Sequence, residues 1–153
     1  SSKLIPPPPS ELGHLRLATL ADEHLVGDLG RAYGLERPSI VDVSEYFLLK
    51  LRTQDLYLWV CDRTGSITTA IATSGATDTV IRIAAVFTPK AHRCKGYAGA
   101  ALSTLTNALL DAHYKSVTLT VQNSDPSLIH MYKSLGYTHS HDSLEFVLDA
   151  TED

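Results

Sequence analysis

The stretch from Val80 to Ala112 constrains the fold of this chain more than any other segment. It opens with a short β-branched run, Val80 to Phe87, which a Thr-Pro pair closes because proline cannot continue a strand. A basic loop with glycines, Arg93 to Gly99, follows and leads into leucines at helical spacing. The sequence therefore predicts a strand, a tight loop and a helix, in that order.

Another strand is predicted after this helix, since Val117, Leu119 and Val121 alternate with polar residues. It must run parallel to the first strand, because a helix crosses between the two. The remaining strand patterns lie around Leu15 and Leu17, over Leu56 to Cys61, over Ile67 to Ala72, and, as a final bent strand or hairpin, from Tyr137 to Leu148.

Three further helices are predicted. Thr19 and Asp22 form a capping pair for the first of them, which Gly34 and Pro38 interrupt. The other two span, roughly, Val41 to Leu51 and Pro126 to Gly136. Together these elements predict an α/β fold: a mixed sheet of about six or seven strands, about four helices on both faces, and a central parallel strand pair.

The loop before the central helix has the composition of an anion-binding site. The first turn of a helix carries N–H groups without partners and a partial positive charge, and phosphate satisfies both. Gly96 has no side chain to hold a phosphate away, and Arg93 and Lys95 add positive charge. The loop is neither a P-loop nor a GxGxxG dinucleotide motif. Taken alone, it is also compatible with an ordinary connection that carries solvated cations.

The spacing of Arg93, Gly96 and Ala98 resembles the acetyl-CoA loop of the GNAT N-acetyltransferase superfamily, whose pattern is Arg or Gln, two residues, Gly, one residue, then Gly or Ala. A second GNAT-like segment follows at the expected distance, from Val121 to Tyr137, and contains Asn123 and a Leu-Gly-Tyr end. The resemblance is strong from about Val80 to Tyr137 and only architectural before that.

The resemblance implies direct transfer of an acetyl group from acetyl-CoA to an amine, with no metal. For the departing thiolate it implies Tyr132, whose alternative role is that of a half-buried aromatic residue. Asn123 would contact the pantetheine arm or else act as a strand-end turn residue. The implied cofactor-binding residues are Ala85, Val86, Phe87, Arg93, Cys94, Lys95, Gly96, Tyr97, Ala98, Gly99 and Asn123.

The base that deprotonates the amine is left open. Lysine acetyltransferases of the superfamily often place a glutamate on the central strand, and Arg82 stands at about that position here. If Arg82 faces the site, its charge opposes an ammonium ion and favours acceptors with an acidic or phosphate group. A water relay is one alternative, and the candidate side chains are Asp78, His139, His141 and Glu145.

Composition excludes several classes of protein. With 153 residues, 44% hydrophobic and 20% charged, the chain matches one globular domain, and no apolar run approaches a membrane span. A net charge of -4 argues against nucleic-acid binding, which normally needs a basic face. Cys61 and Cys94 form no disulfide or metal pattern, so we expect a reduced, cytoplasmic protein.

We therefore expect a proline-rich N-terminal tail, residues 1–10, followed by a single GNAT-like domain, residues 11–153. The expected acceptor is a small-molecule amine, an amino acid or a peptide, and a homodimer is compatible with the sequence. The alternative is a non-catalytic CoA-binding regulatory or interaction module, which the proline-rich tail and the absence of a carboxylate on the central strand favour.

Overall fold

The computed structural model describes residues 12–36, 45–120, 126–139 and 145–149, and within them it contains one seven-stranded sheet. The strands are β1 (His14–Leu17), β2 (Leu56–Val60), β3 (Ile67–Ser74), β4 (Val80–Phe87), β5 (Ser116–Thr120), β6 (Thr138–His139) and β7 (Glu145–Asp149). The α-helices are α1 (Glu23–Glu36), α2 (Tyr46–Arg52), α3 (Tyr97–Ala112) and α4 (Pro126–Ser134). The predicted fold class is confirmed.

The sheet order is β1-β2-β3-β4-β5-β7-β6, with β4 and β5 as its parallel pair. The described register of this pair runs from Val80 opposite Ser116 to Ile83 opposite Leu119. The other neighbouring strands are antiparallel. The parallel direction follows from the crossover through α3, as the sequence predicts.

A β-bulge interrupts β4 next to this pair. On the β3 side, Ala72 lies opposite Ala85 while Thr73 lies opposite Ile83, so Ala84 is the extra residue. The described pairing with β5 stops at Ile83, although β5 continues to Thr120. Beyond Ile83, β4 has no β5 partner among the described residues, which on β5 end at Thr120.

The bulge also changes which face of the sheet each β4 side chain serves. Ile81 and Ile83 are buried in a core cluster with α3 and α4, whereas Ala85 and Phe87 are buried in a second cluster with α1 and α2. An inserted residue reverses the two-residue alternation of a strand, which explains the switch. Two helices thus cover each face.

Helix α1 is longer than the sequence predicts. The expectation that Gly34 interrupts it is wrong, because α1 continues through Gly34 to Glu36, while Pro38 lies outside the described residues. The adjacent Tyr33 packs its ring 4.9 Å from Phe47 and 5.5 Å from Phe87, measured between centroids. Aromatic burial of this size outweighs the cost of about 1 kcal/mol for a glycine in a helix. The predicted start of α2 near Val41 also lies outside the described residues.

The capping pair before α1 is confirmed, and its aspartate takes part in a half-buried ion pair. The Thr19 N–H donates to the Asp22 carboxylate at 2.8 Å, and a turn of 3-10 helix, Leu20–Asp22, leads into α1. Arg16 donates two hydrogen bonds to the same carboxylate, both 2.8 Å long. The Arg16 hydrogen bond is the main reason why the pKa of Asp22 is lowered from 3.8 to about 2.

This pKa shift predicts a pH-dependent stability. Since the folded pKa of Asp22 is below its unfolded value, its contribution is present above about pH 4 and is lost as the pH falls toward about 2. We expect Asp22→Asn to lower the free energy of unfolding by about 2 kcal/mol at pH 7. In urea titrations, this difference between variant and wild type should shrink as the pH drops below about 4.

Asp28 offers the matched control, because its ion pair with Arg31 is exposed, with side-chain exposures of 73% and 66%. Asp28→Asn should change stability by less than about 0.5 kcal/mol at either pH. Equal losses for Asp22→Asn at pH 7 and pH 3 would contradict the assignment.

No helix within the described ranges is long and apolar enough to cross a membrane. The predicted proline-rich tail, residues 1–10, lies outside the described residues.

Candidate functional site

The loop between β4 and α3 contains two residues with left-handed backbone. After a turn of 3-10 helix, Lys90–His92, Cys94 adopts a φ of 62° and Gly96, the N-cap of α3, a φ of 87°. Left-handed backbone is costly for most residues and free for glycine, which gives Gly96 a local reason to be there. Among the described residues, a Cβ at Gly96 would meet only Leu12 Cδ1, at 3.6 Å, which leaves space above this residue.

The backbone N–H groups from Cys94 to Gly99 form no hydrogen bond within the described part of the chain. The first helical bond of α3 runs from the Ala100 N–H to the Gly96 carbonyl at 3.0 Å. Among the described residues, no acceptor pairs with the N–H groups from Cys94 to Gly99. Helix starts normally satisfy such donors with a side-chain cap, and Gly96 has none. A row of free N–H groups at the positive end of a 16-residue helix suits a phosphate or pyrophosphate.

Side chains around the loop leave this row accessible. Cys94 and Lys95 are exposed, and the Lys95 ammonium reaches the Ala91 carbonyl at only 3.4 Å. Gly99 faces α4, where a Cβ would stand 4.0 Å from Met131 Sδ. Ala98 is half-buried in the same first turn. The predicted small residues therefore lie together at the start of α3.

Arg93 has a different environment from the one that the motif implies. Its Nε donates to the Thr88 carbonyl at 2.8 Å, another guanidinium nitrogen pairs with the Glu36 carboxylate, and its guanidinium carbon lies 6.0 Å from the Phe87 ring centroid. The charge is thus shared with the C-terminal end of α1, where a cation is also favourable to the helix dipole. In this structure Arg93 connects the loop to α1, and Lys95 is the freer cation.

The second half of β4 forms the wall next to the loop. Ala85 and Phe87 have buried side chains, 7% and 6% exposed, so only their backbone groups can reach a ligand. Val86 is half-buried against the α3 cluster. The backbone groups of Ala85 to Phe87 have no β5 partner among the described residues, and β4 leads from them into the loop before α3.

Tyr132 packs over the row of the sheet that contains the last described β4–β5 pair, Ile83 and Leu119. Ile83, Leu119 and Phe146 form one row across β4, β5 and β7, and all three are buried in the α3 and α4 cluster. The Tyr132 ring, 8% exposed, packs 6.0 Å from Phe146 and 6.4 Å from Tyr137 between centroids. The predicted catalytic tyrosine is therefore beside the last β4–β5 pair, on the face that α3 covers.

Sequence reasoning missed Cys61, a thiol whose pKa is lowered by hydrogen bonds. The Tyr97 hydroxyl donates to Cys61 Sγ at 3.6 Å, and this bond, followed by one with Thr64, lowers the pKa of the thiol from 9.0 to about 7. Cys61 is only 4% exposed and comes directly after β2. The contact ties the first residue of α3 to the β2–β3 hairpin across 36 positions of sequence, so no local pattern announces it.

The candidate bases fall into two groups. Asp78 is exposed in the turn before β4, and about 20 Å of strand separates it from Ala85 at about 3.3 Å per residue. The backbones of His139 and Glu145, by contrast, pair with Phe146 and Thr120, next to the row that Tyr132 covers. His141 and Asn123 lie outside the described residues. Within the described residues, no group of three His, Cys, Asp or Glu side chains is arranged to hold a metal.

Comparison with known families matches residues 23–137 to the acetyltransferase (GNAT) family. The match covers most of the chain and includes the loop, β5 and α4. The chain belongs to the GNAT family. A search of curated proteins finds no match.

Solved structures with the GNAT fold superpose over nearly the whole chain. Ard1 from Thermoplasma volcanium has 18% sequence identity and a TM-score of 0.71, covering 92% of this chain and 99% of that one. A phosphinothricin acetyltransferase from Sinorhizobium meliloti, solved with acetyl-CoA, has 16% identity and a TM-score of 0.68, covering 91% and 89%. The NatC complex bound to Gag peptide and CoA has 11% identity and a TM-score of 0.70, covering 90% and 98%. At these identities the likeness shows the fold.

Proposed function

We propose that this GNAT protein is an N-acetyltransferase that transfers acetyl from acetyl-CoA directly to an amine acceptor. The observation that carries the proposal is the row of N–H groups from Cys94 to Gly99, which directly follow β4 and have no acceptor among the described residues. The family and the acetyl-CoA bound to a structural neighbour support the same ligand.

The residues present fit this cosubstrate. Free amides at the start of α3 suit a pyrophosphate, and Lys95 supplies a cation beside them. The backbone groups of Ala85 to Phe87, which lack a described ladder partner toward β5, suit the amides of the pantetheine arm. Acetyl-CoA supplies an activated acetyl thioester when it is bound.

The reaction needs two proton transfers, one to the departing thiolate and one from the incoming amine, and we assign them to different groups. Tyr132, beside the last β4–β5 pair, is the proposed donor to the departing thiolate. The incoming amine must lose a proton, and β4 carries no carboxylate to accept it. His139 and Glu145, whose backbones lie near the same end of the sheet, are better candidates than the distant Asp78. His141 and a water relay stay open as alternatives.

The proposal is tested by incubating the purified protein with acetyl-CoA and a panel of small amines, amino acids and peptides. We expect amine-dependent release of CoA and an acetylated acceptor that mass spectrometry detects. The released CoA is measured by chromatography, because the exposed thiol of Cys94 would react with a thiol reagent. Direct transfer further predicts that the mass of the protein stays unchanged with acetyl-CoA alone. Tight binding of acetyl-CoA without release for any amine would favour a non-catalytic CoA-binding module.

A further inference from the structure

A pair of cations lies under α2, on the face of the sheet opposite α3. Ile81 and Ile83 point into the α3 cluster, so Arg82 between them projects from the other face, where it is exposed. Arg82 is opposite Ser74 on β3, and its guanidinium passes 3.3 Å from where a Cβ of Gly75 would be. The absence of a side chain at Gly75 gives the guanidinium room to lie over the end of β3.

The second cation is Lys50 from α2. Its Nζ donates to the Thr73 carbonyl at 2.7 Å and lies 5.7 Å from the centroid of the Tyr46 ring. Thr73 and Ser74 are neighbours on β3 and lie opposite Ile83 and Arg82 on β4. Lys50 and Arg82 therefore meet the same short segment of β3, on the same face, with the Tyr46 phenol beside them.

The charge of this cluster is not neutralised within the part of the chain that the structure describes. Neither Arg82 nor Lys50 forms an ion pair there, and Arg82 makes no hydrogen bond to the protein. The pKa of the Tyr46 phenol reflects the charges around it. Burial raises this pKa, the positive charge of Arg82 lowers it, and the negative charge of Asp55 raises it. Two cations thus lie near one carboxylate, Asp55, and the five guanidinium N–H donors of Arg82 have no hydrogen-bond partner among the described residues.

Arg82 and Lys50 lie closer to the β4 bulge than to the loop before α3, so they can contact an acceptor more easily than the phosphates of the cosubstrate. Arg82 precedes the bulge residue Ala84 by two residues, or about 7 Å of strand, so a molecule of modest length can reach both Arg82 and the bulge. The free amides of the α3 loop are beyond the other end of β4, more than about 15 Å away. They are also separated from Arg82 by the sheet, since α3 covers the opposite face.

We infer that Arg82 and Lys50 form a subsite for an anionic group, a carboxylate or a phosphate, carried by the amine acceptor. This inference rests on the proposed acetyl transfer for its biological meaning, but the subsite itself is defined by the two cations. An arginine fork can bind either oxyanion with two parallel hydrogen bonds, and the lysine adds a point charge. The separation from the bulge favours acceptors whose amine and anionic group are several bonds apart.

Matched acceptors test the inference by kcat/KM with saturating acetyl-CoA. One pair is phosphoethanolamine and ethanolamine; the other is two C-terminally amidated tripeptides with Glu or Gln at the second position. We expect the anionic member of at least one pair to be preferred by about tenfold or more, which corresponds to one charge-assisted contact. Arg82→Ala should remove the preference, Arg82→Lys should keep part of it, and the affinity for acetyl-CoA should stay unchanged.

Arg52→Ala is the control, because Arg52 is an exposed cation on the same helix, two positions after Lys50 and therefore on another side of it. It removes the same net charge and should keep the preference. The inference is overturned if neither pair shows a preference, if the preference survives Arg82→Ala, or if Arg52→Ala abolishes it equally.

A separate measurement distinguishes failure of the subsite from failure of the proposed function. If no amine supports CoA release, the transferase proposal fails, and inorganic phosphate then probes the subsite by calorimetry in the presence of saturating CoA, which fills the α3 loop. Phosphate binding that is lost in Arg82→Ala and kept in Arg52→Ala would still establish an anion site. Equal binding to wild type and Arg82→Ala would exclude it.

Discussion

Gly96→Asp is expected to weaken acetyl-CoA binding by about 100-fold or more, because a carboxylate at this position competes for the amides that a pyrophosphate needs. An aspartate at the N-cap of α3 can accept hydrogen bonds from the free N–H groups two and three residues later. Its negative charge also repels the phosphates directly. Calorimetry with acetyl-CoA measures the loss.

The fold should survive this change, since the one atom of the described chain that a Cβ at Gly96 would contact is Leu12 Cδ1, at an ordinary 3.6 Å. The left-handed backbone adds a strain of about 1 kcal/mol, which circular dichroism and thermal melting would report. Gly96→Asn is the matched control, because asparagine has nearly the same size, tolerates the same φ and carries no charge. Gly96→Asn should therefore bind acetyl-CoA more tightly than Gly96→Asp.

Cys94 provides an independent readout of the same site. It is an exposed thiol in the loop, whereas Cys61 is buried. Acetyl-CoA should slow the alkylation of Cys94 in the wild type and have no effect on it in Gly96→Asp. Unchanged affinity in Gly96→Asp, or protection of Cys94 that persists in this variant, would show that the cosubstrate is not bound at this loop.

Local patterns predicted the part of the fold that carries the site. The bounds of β4 follow from a β-branched run that a proline ends, and the loop and α3 follow from glycine and leucine spacing within the next few residues. The parallel direction of β5 follows from connectivity alone. Each of these inferences depends on contacts between residues close in sequence or on a topological rule, which is why the sequence suffices for them.

Contacts between distant segments were beyond the reach of the sequence. Arg93 pairs with Glu36 across 57 positions, and Lys50 reaches the Thr73 carbonyl across 23, so neither pairing has a local signature. The position of the bulge at Ala84 is set by how β3 pairs with β4, so the residues around it do not fix it. The insertion of β7 between β5 and β6 is likewise a matter of tertiary packing.

Helix α1 illustrates a conflict that local reasoning resolved the wrong way. Glycine lowers helix propensity, and on that ground Gly34 should end the helix. The burial of Tyr33 between Phe47 and Phe87 stabilises the last turns by more than the glycine costs, so α1 reaches Glu36. Its extra length is what brings the Glu36 carboxylate to Arg93, which links the loop before α3 to the C-terminal end of α1.

The other large effect is expected at Tyr132, where replacement by phenylalanine should lower kcat and kcat/KM together by roughly 100-fold or more, the size typical of one acid catalyst. Phenylalanine keeps the ring contacts with Phe146 and Tyr137 and removes only the hydroxyl. If this hydroxyl donates a proton to the departing thiolate, its loss affects the transition state and not the bound ground state. The affinity for acetyl-CoA should therefore stay nearly the same.

Tyr137→Phe is the control that separates catalysis from packing. The Tyr137 hydroxyl is buried and hydrogen-bonded to Thr106 at 2.7 Å, and burial raises its pKa, so the phenol stays protonated within the core. Its removal should cost about 1 kcal/mol of stability and leave kcat per folded molecule unchanged. Measuring kcat, acetyl-CoA affinity and melting temperature on both variants distinguishes the two roles: a Tyr132→Phe protein that melts lower but turns over at the wild-type rate would make Tyr132 a core residue, because a proton donor cannot be removed without slowing the step it serves.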